Sequence, residues 1–309
     1  MKYKEWLEQW LELYVKPSSK GRTYKMYGDI VFNHIIPNFG EYDMDDITPI
    51  EVQKYIIELL KNGNLRTGES LSANSVNAII VIFQSSLKLA HMLGIAKHYE
   101  MNKIKRPKVV EKKVESFSVI EQKTIEQAIM NDKRDKMKGI IICLYTGLRI
   151  GELLALEWSD IDFANGEINI NKSCYDGKMK DGSFGRITDT PKTENSIRVI
   201  PLPKKLVPII RAMKKNSNSP YVISGKNNVI YVRSYQRSFE MLLKKLNIKH
   251  RGFHALRHTF ATRAIECGMD VKTLSEILGH KNPTVTLNRY AHSLMDHKKD
   301  MMNRLGKLL

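Results

Sequence analysis

The period of the hydrophobic pattern changes along the chain, and this change sets the fold class. Through residues 1–100, apolar side chains recur every three or four positions, which is typical of helices that bury one face. Around Asn165 and Gly166 the pattern alternates instead, over 161–163 and 167–170, and an Asn-Gly pair between two such runs predicts a β-hairpin. From about residue 232 the helical pattern returns. The sequence therefore predicts a fold that is mainly α with a small antiparallel β component (α+β).

Capping residues and a proline mark the helices of the first part. Thr48 precedes a proline, and Glu51 follows three positions after the threonine, as in a capping box. Ser72 similarly precedes an apolar run over 73–93. Pro37 predicts the end of the helix before it, because proline disfavours helical geometry in the preceding residue. These helices are enough for a small all-helical domain.

Further along, the pattern predicts both helices and strands. Residues 139–157 are strongly apolar and are interpreted as one helix. Residues 185–190 and 196–200 are predicted to form a two-stranded element, with 191–195 as its turn.

Length and composition suggest how the chain is organised. A chain of 309 residues is long enough for two domains of ~100–200 residues each. Residues 101–118 contain six Lys or Arg side chains and a proline among few apolar ones. Two interpretations stay open for this segment, a linker lying along phosphate groups and a solvated tether. The predicted organisation is a helical domain at 1–100, a basic linker at 101–118 and a second domain at 119–309.

The charge balance points to a polyanionic partner. Lys and Arg number 50 against 33 Asp and Glu, a formal net charge of +17. Residues 1–110 hold 15 basic and 12 acidic side chains, so residues 111–309 carry most of the surplus, +14. Such a surplus repels itself unless a polyanion neutralises it, which makes nucleic acid the first partner to consider.

Cysteine usage and hydropathy exclude several classes of protein. Cys143, Cys174 and Cys267 lack metal-ligand spacing, which argues against a disulfide scaffold and against a structural zinc site. No apolar run approaches the ~18–20 residues of a membrane span, and the acidic residues near the start are unlike a secretory signal. We expect a reduced, cytoplasmic protein with no membrane partner.

Two residue pairs are suited to holding a phosphate. His254 and Arg257 lie three positions apart, so on a helix they project from one face and join a proton carrier to an anion binder. Arg149, with Glu152 three positions later, offers a second guanidinium for the non-bridging oxygens of a phosphate. Each pair also has a plainer explanation, as surface residues or as a salt bridge at a helix end.

Three more residues are candidates for the same phosphate site because they complement these two pairs. Lys192 lies in a predicted turn from which it can donate a proton, although a lysine in a turn is ordinary. Tyr290 has a phenol suited to attack on phosphorus, and nearby cations help such a group ionise from its pKa of ~10, although most tyrosines serve packing. His280, ten residues before Tyr290, suits a phosphate contact or a helix-end cap. Together the residues supply a nucleophile, a clamp and a proton donor for metal-free phosphoryl transfer.

These residues stand in motifs that closely resemble those of the tyrosine recombinases, the phage integrase family. The motifs are TGLRIGEL with Arg149, TPKT with Lys192, HALR with His254 and Arg257, LGH ending at His280, and Tyr290. The N-terminal runs WLEQWLELYV and ITPIEVQKYI resemble the core-site-binding domain of integrases from phages and conjugative elements. The resemblance spans nearly the whole chain. It implies an all-helical core-binding domain and a catalytic domain that form a C-shaped clamp on DNA.

The resemblance implies a reaction. Tyr290 attacks the scissile phosphate and leaves a 3′-phosphotyrosyl linkage and a free 5′-hydroxyl. Lys192 protonates the departing 5′-oxygen, and His254 serves as acid and base near the tyrosine. The same chemistry in reverse joins a partner strand, so integration and excision of a mobile element proceed through a Holliday junction.

The resemblance also implies a phosphate site without a cofactor. Arg149 and Arg257 clamp the phosphate oxygens, His280 adds a hydrogen bond, and Glu152 supports the site. The family uses neither a metal ion nor ATP.

The implied partners are DNA attachment sites and further copies of the chain. Four protomers hold two duplexes in a ring, and a directionality factor is a candidate accessory protein. A terminal helix docks on a neighbouring protomer in this interpretation, or packs on its own domain in the plainer one. Its apolar stripe consists of Leu294, Met301, Leu305 and Leu308. Four linker residues are expected to contact DNA phosphates: Lys103, Lys105, Arg106 and Lys108.

Two other functions stay open at this point. One is a sequence-specific DNA-binding protein that keeps the fold without cutting, which the intact set of catalytic positions opposes. The other is a type IB topoisomerase, which shares the tyrosine chemistry but needs no terminal docking helix. Integrases of this type often carry an additional N-terminal domain for arm-type sites; here a core-binding helix follows Met1 almost directly, so a simpler integrase type and removal of that domain are both open.

Overall fold

The computed structural model describes residues 1–110, 115–179, 181–189, 197–225, 229–280, 282–287, 302–303 and 305–306. The chain forms two compact units, Met1–Lys112 and Lys113–Leu309. Helices dominate both, and among the described residues the strands all lie in the second unit. The predicted mainly α fold with a small antiparallel β component is confirmed.

The first unit is entirely helical in its described elements. They are α1 (Tyr3–Trp10), α2 (Lys16–Ser18), α3 (Gly21–Ile30), α4 (Ile36–Phe39), α5 (Pro49–Asn62) and α6 (Ala73–Met92), with π-helical turns at Leu11–Val15 and Val31–Ile35 and short 3-10 turns at Met44–Asp46 and Met101–Lys103. The apolar stripe of α1 packs on α6, where Trp6 Nε1 donates to the Ser86 carbonyl (2.9 Å) and Tyr3 Oη bonds Ser86 Oγ (2.7 Å). Burying both aromatic rings excludes water, and the two bonds satisfy their polar atoms.

The predicted capping box at the start of α5 is confirmed. The Glu51 N–H donates to Thr48 Oγ1 (3.3 Å), and the Glu51 carboxylate accepts from the Thr48 N–H (3.1 Å). At the start of α6 the Ser75 N–H donates to Ser72 Oγ (3.2 Å). Each bond satisfies an N–H that has no partner within its helix, so both helices begin where the sequence predicts.

The predicted helix end at Pro37 is wrong. The backbone passes through the π-helical turn Val31–Ile35, in which the Ile36 N–H bonds the Val31 carbonyl, and continues as α4. Pro37 falls in the first turn of α4, where an N–H has no partner within the helix, so its missing N–H costs no helical bond. A second π-helical turn, Leu11–Val15, precedes Pro17 in the same way.

The second unit surrounds two small antiparallel sheets with helices. The helices are α7 (Val119–Met130), α8 (Gly139–Thr146), α9 (Ile150–Ala155), α10 (Val207–Lys215), α11 (Val232–Lys245), α12 (His254–Glu266) and α13 (Val271–Leu278), with 3-10 turns at Asp135–Lys138 and Trp158–Asp160. The strands are β1 (Ile161–Asp162), β2 (Glu167–Ile170), β3 (Ser173–Lys178), β4 (Phe184–Asp189) and β5 (Arg198–Pro201). The apolar α8 is buried in the core and packs on α12, while α9 packs on α8 and β3.

The single helix predicted over 139–157 is wrong, because the chain breaks between α8 and α9. Gly147 has φ +67°, a left-handed conformation that ends α8. A Cβ at this position would lie 2.5 Å from Phe260 Cδ1, so only glycine fits. The break makes Arg149 the residue that starts α9 rather than one inside a long helix.

The strand pairing differs in part from the prediction. The hairpin at Asn165 and Gly166 is confirmed, with Ile161 opposite Ile168 in β1 and β2. The predicted pairing of 185–190 with 196–200 is wrong, since β4 pairs with β3 and β5 pairs with β2. Strand β3 has the sequence SCYDGK, which lacks the alternation of apolar and polar residues that predicts a strand.

Two kinds of feature are absent from the described residues. No helix in these ranges is long and apolar enough to cross a membrane. No group of three or more His, Cys, Asp or Glu side chains within them is arranged to hold a metal ion.

Candidate active site

Arg149 is held by Glu152 at the start of α9. The Arg149 N–H donates to Glu152 Oε2 (2.9 Å), and its guanidinium Nη1 donates to Glu152 Oε1 (2.7 Å). Glu152 is 5% exposed, whereas the Arg149 side chain is 36% exposed. The carboxylate therefore anchors an arginine whose other face reaches solvent.

Arg198 on β5 forms a second ion pair with the same carboxylate. Its Nη1 donates to Glu152 Oε1 (3.1 Å) and its Nη2 to Glu152 Oε2 (2.9 Å), a two-bond contact between nearly buried groups. Burial alone raises the pKa of Glu152, but the hydrogen bonds and charge of Arg198, together with Arg149, lower it to about 2. Glu152 is thus ionised at neutral pH and holds two arginines in place.

Three arginines converge on the carboxyl end of α13. Three consecutive carbonyls there each accept a hydrogen bond from a different guanidinium. The pairs are Arg198 Nε with Ile277 O (2.6 Å), Arg257 Nη2 with Leu278 O (2.6 Å) and Arg149 Nη2 with Gly279 O (3.3 Å). The last carbonyls of a helix lack partners within it and carry the negative end of its dipole, so they attract cations. The helix end thereby gathers three positive charges beside His280.

Gly279 permits this convergence. Its φ is +63°, which ends α13 in a left-handed turn. A Cβ there would lie 3.1 Å from Arg198 Nη1 and 3.2 Å from Arg198 Cδ, so a side chain would displace this arginine. The turn also directs His280 toward Arg257.

Arg257 and His280 are in direct contact. Arg257 on α12 is only 2% exposed, and its Nη1 donates to the Gly147 carbonyl (2.9 Å). Its Nη2 lies 2.9 Å from His280 Nε2, and His280 Nδ1 lies 2.7 Å from Thr286 Oγ1. Arg257 therefore ties the break after α8 to the turn after α13.

His254 lies one turn before Arg257 but on the solvent side. It is the first residue of α12 and is exposed, while Arg257 is buried. Its ring contacts His258 edge to face, with 4.6 Å between the ring centroids.

The described residues bring together four predicted site residues, Arg149, Glu152, Arg257 and His280. Two others, Lys192 and Tyr290, lie outside the described residues. Of the terminal apolar stripe, Leu305 is described and is exposed, and its three other members lie outside the described residues.

Arg198 and Thr286 are site residues that the sequence analysis missed. For Arg198 a signal existed, because it lies two positions from Ile200 in a predicted strand and therefore on the same, apolar face. An arginine on the buried face of a strand needs a partner, and Glu152 is that partner.

The basic segment at 101–108 is bound to the first unit. Met101 and Ile104 are buried in its core. The Lys105 N–H donates to Gln53 Oε1 (2.9 Å) and its carbonyl accepts from Gln53 Nε2 (3.4 Å). Two side chains of α6 hold the segment as well. Gln84 Nε2 donates to the Met101 carbonyl (2.9 Å), and Asn77 Nδ2 donates to the Pro107 carbonyl (3.2 Å). The basic side chains of this segment, Lys103, Lys105, Arg106 and Lys108, are exposed.

The chain matches two family models of known proteins. The profile described as "Phage integrase family" matches residues 117–297, more than half of the chain. The chain belongs to the phage integrase family. A second profile, "Phage integrase, N-terminal SAM-like domain", matches residues 2–60. The resemblance inferred from the motifs is confirmed.

Two relatives extend over almost all of this integrase. A tyrosine recombinase XerC-like protein of Caldanaerobacter subterraneus is 29% identical over 331 positions, covering 98% of this chain and 82% of that protein. The ICEBs1 integrase of Bacillus subtilis is 29% identical over 303 positions, covering 94% of this chain and 79% of that protein. This integrase is a site-specific tyrosine recombinase of the phage and conjugative-transposon type, an enzyme that breaks and rejoins DNA strands.

Solved structures share the fold. The integrase of transposon Tn1549, in complex with circular intermediate DNA, superposes with a TM-score of 0.82 at 22% identity, over 99% of this chain and 100% of that chain. A lambda integrase tetramer bound to a Holliday junction superposes with a TM-score of 0.69 at 19% identity, over 92% of this chain and 79% of that chain.

Proposed function

We propose that this integrase cleaves attachment-site DNA with Tyr290 while Arg149, Arg257 and His280 hold the scissile phosphate. The convergence of arginines on the carboxyl end of α13 carries the proposal. Guanidinium groups already in place stabilise the charge that builds on phosphorus without reorganising during the reaction. Glu152 and Arg198 keep that arrangement rigid.

Strand exchange proceeds by transesterification, in which one phosphate ester replaces another. The Tyr290 oxygen forms a bond to phosphorus as the bond to the 5′-oxygen breaks, giving a 3′-phosphotyrosyl ester. His254 accepts the phenol proton, and Lys192 gives a proton to the departing 5′-oxygen. One phosphate ester replaces another, so the bond energy is kept, and a 5′-hydroxyl from a partner strand reverses the step without an added cofactor.

The wider assembly is part of the proposal. Residues 1–100 bind core-site DNA, 101–118 link the domains along the backbone, and 119–309 catalyse transfer and end in an oligomerisation helix. Four copies act on two duplexes through a Holliday junction, in the cytoplasm, with a directionality factor as a candidate partner. The lambda integrase tetramer on such a junction supports this assembly by analogy of fold.

Trapping of covalent intermediates tests the function. Plasmids carrying the DNA that flanks the gene are nicked so that cleaved ends cannot rejoin, incubated with the enzyme and quenched in SDS. We expect protein attached to a 3′-end, with a free 5′-hydroxyl opposite that a kinase can label. Tight and specific binding without any adduct would contradict the proposal and indicate a DNA-binding protein that does not cleave. Relaxation of supercoils by a monomer, without exchange between two plasmids, would favour a topoisomerase.

The basic segment should contribute to the salt dependence of DNA binding. Replacing Lys105 with Ala is expected to weaken binding to a random-sequence duplex and to reduce the slope of log affinity against log salt by ~0.9, because one phosphate contact is lost. Lys61→Ala, at the last turn of α5, is the control. Equal slopes for wild type and Lys105→Ala, measured by fluorescence anisotropy across a salt series, would remove Lys105 from the DNA interface.

The amides that hold this segment should affect binding without touching DNA. Gln53→Ala removes both bonds to the Lys105 backbone, so the segment must be ordered on binding, and affinity for the same duplex should fall by about threefold to tenfold. Gln9→Ala, on the exposed face of α1, should leave affinity unchanged. The salt slope should also stay unchanged in Gln53→Ala, and a reduced slope would mean that Gln53 acts through charge contacts.

A further inference from the structure

His280 contacts the Arg257 guanidinium, which can only donate hydrogen bonds, and the Thr286 hydroxyl, which can either donate or accept one. Arg257 Nη2 lies 2.9 Å from Nε2, and Thr286 Oγ1 lies 2.7 Å from Nδ1. Thr286 is 1% exposed and belongs to a helical segment at 283–287. At this distance the buried hydroxyl and the imidazole share a hydrogen bond.

The contact with Arg257 determines where the imidazole proton sits. A guanidinium has no acceptor, so Nε2 must accept and carry a lone pair. The neutral ring then carries its proton on Nδ1 and donates it to Thr286 Oγ1. The geometry of these two contacts therefore favours the Nδ1–H form of a neutral His280 in the free enzyme.

A phosphate oxygen at Nε2 demands the opposite form. Such an oxygen accepts hydrogen bonds, so the neutral ring must carry its proton on Nε2 to bind it. Nδ1 then becomes an acceptor and needs a donor. A threonine hydroxyl supplies one by rotating about its C–O bond, whereas a carboxylate or a backbone carbonyl in that place would only accept.

We infer that Thr286 is a positioning residue that lets His280 change tautomer when the phosphate binds. Its hydroxyl accepts from Nδ1–H in the free enzyme and donates to Nδ1 in the DNA complex. In the same step the bond from Arg257 Nη2 to Nε2 breaks, so that both the Arg257 N–H and the new Nε2–H donate to the phosphate oxygens. The ring releases a proton from Nδ1 to water and takes one up at Nε2, so its net charge is unchanged. This inference rests on the proposed role of His280 as a phosphate contact.

The same bond reaches the segment that leads to the nucleophile. Thr286 precedes Tyr290 by four residues in the sequence. A substitution that only loosened this segment would also slow cleavage, so the experiment must separate the two effects.

Nitrogen-15 NMR of histidine-labelled enzyme tests the starting state without DNA. The two-bond proton–nitrogen correlations of His280, assigned by its absence in His280→Ala, should show the Nδ1–H form in wild type and in Thr286→Ser. A ring protonated on Nε2, or on both nitrogens, would overturn the inference. This result is independent of whether cleavage occurs, so it also separates failure of the inference from failure of the proposed function.

Adduct formation on the nicked flanking DNA tests the reversal. Thr286→Val keeps the shape but has no hydroxyl. Adduct formation should slow by about tenfold to a hundredfold, the size of effect seen for partners that orient metal-binding histidines. Thr286→Ser should stay within about threefold of wild type, and binding of the DNA should be unchanged in both. Loss of activity in Thr286→Ser equal to that in Thr286→Val would contradict a role for the hydroxyl.

A double variant distinguishes positioning of His280 from support of the tyrosine segment. If Thr286 acts through the imidazole, Thr286→Val should cause no further loss in an enzyme that already carries His280→Ala. A full additional tenfold loss in that background would show that Thr286 acts independently of His280 and would overturn the inference.

Discussion

Replacing Tyr290 with Phe should abolish covalent attachment to DNA while leaving DNA binding within about twofold of wild type. The substitution removes one oxygen atom and keeps the ring, so packing is preserved while the nucleophile is lost. Adduct formation on nicked flanking DNA should fall by at least about 10³-fold, because no other group replaces the attacking oxygen. Quantitative SDS gels over a time course give the rate.

A second tyrosine provides the matched control. Tyr231 is 42% exposed and stacks on Phe184. Tyr231→Phe should form adducts at the wild-type rate. Persistence of adducts in Tyr290→Phe would assign the nucleophile to another residue, and mass spectrometry of the trapped peptide would identify it.

Replacing Glu152 with Gln should lower the free energy of unfolding by about 3–5 kcal/mol, the cost of breaking a buried ion pair from one side. Arg198, with a side chain only 6% exposed, would keep its charge without the carboxylate that neutralises it. Urea unfolding of the full chain, followed by circular dichroism at pH 7, measures the loss. Glu100→Gln, which breaks the exposed pair with Lys103, should change stability little.

The ion pair between Glu152 and Arg198 also makes the free energy of unfolding depend on pH. Because the pKa of Glu152 falls from its usual 4.5 to about 2 in the folded chain, its ionised form stabilises the fold at every pH above 4.5. That contribution is lost as the pH drops from 4.5 toward 2. The stability difference between wild type and Glu152→Gln should therefore shrink across this window, and a constant difference would show that the charge of Glu152 is not its source.

Much of the molecule follows from local sequence. Thr48 with Glu51 and Ser72 with Ser75 start their helices because each pair satisfies N–H groups within one turn. Asn165 and Gly166 form a hairpin because both flanking strands are adjacent in the chain. The order of motifs also identified the family before any geometry was known, since it depends on residue types and their spacing alone.

Short-range contacts therefore account for the helix starts and one hairpin, and the residue types alone supply the list of reactive groups. The tertiary structure alone decided that the apolar helix breaks at Gly147, because Phe260 fills the space that a side chain there would need. It also decided that β5 pairs with β2, which brings Arg198 to Glu152 across 46 residues of sequence. Both outcomes depend on contacts between residues that are distant in the chain, and a local sequence pattern contains no information about such contacts.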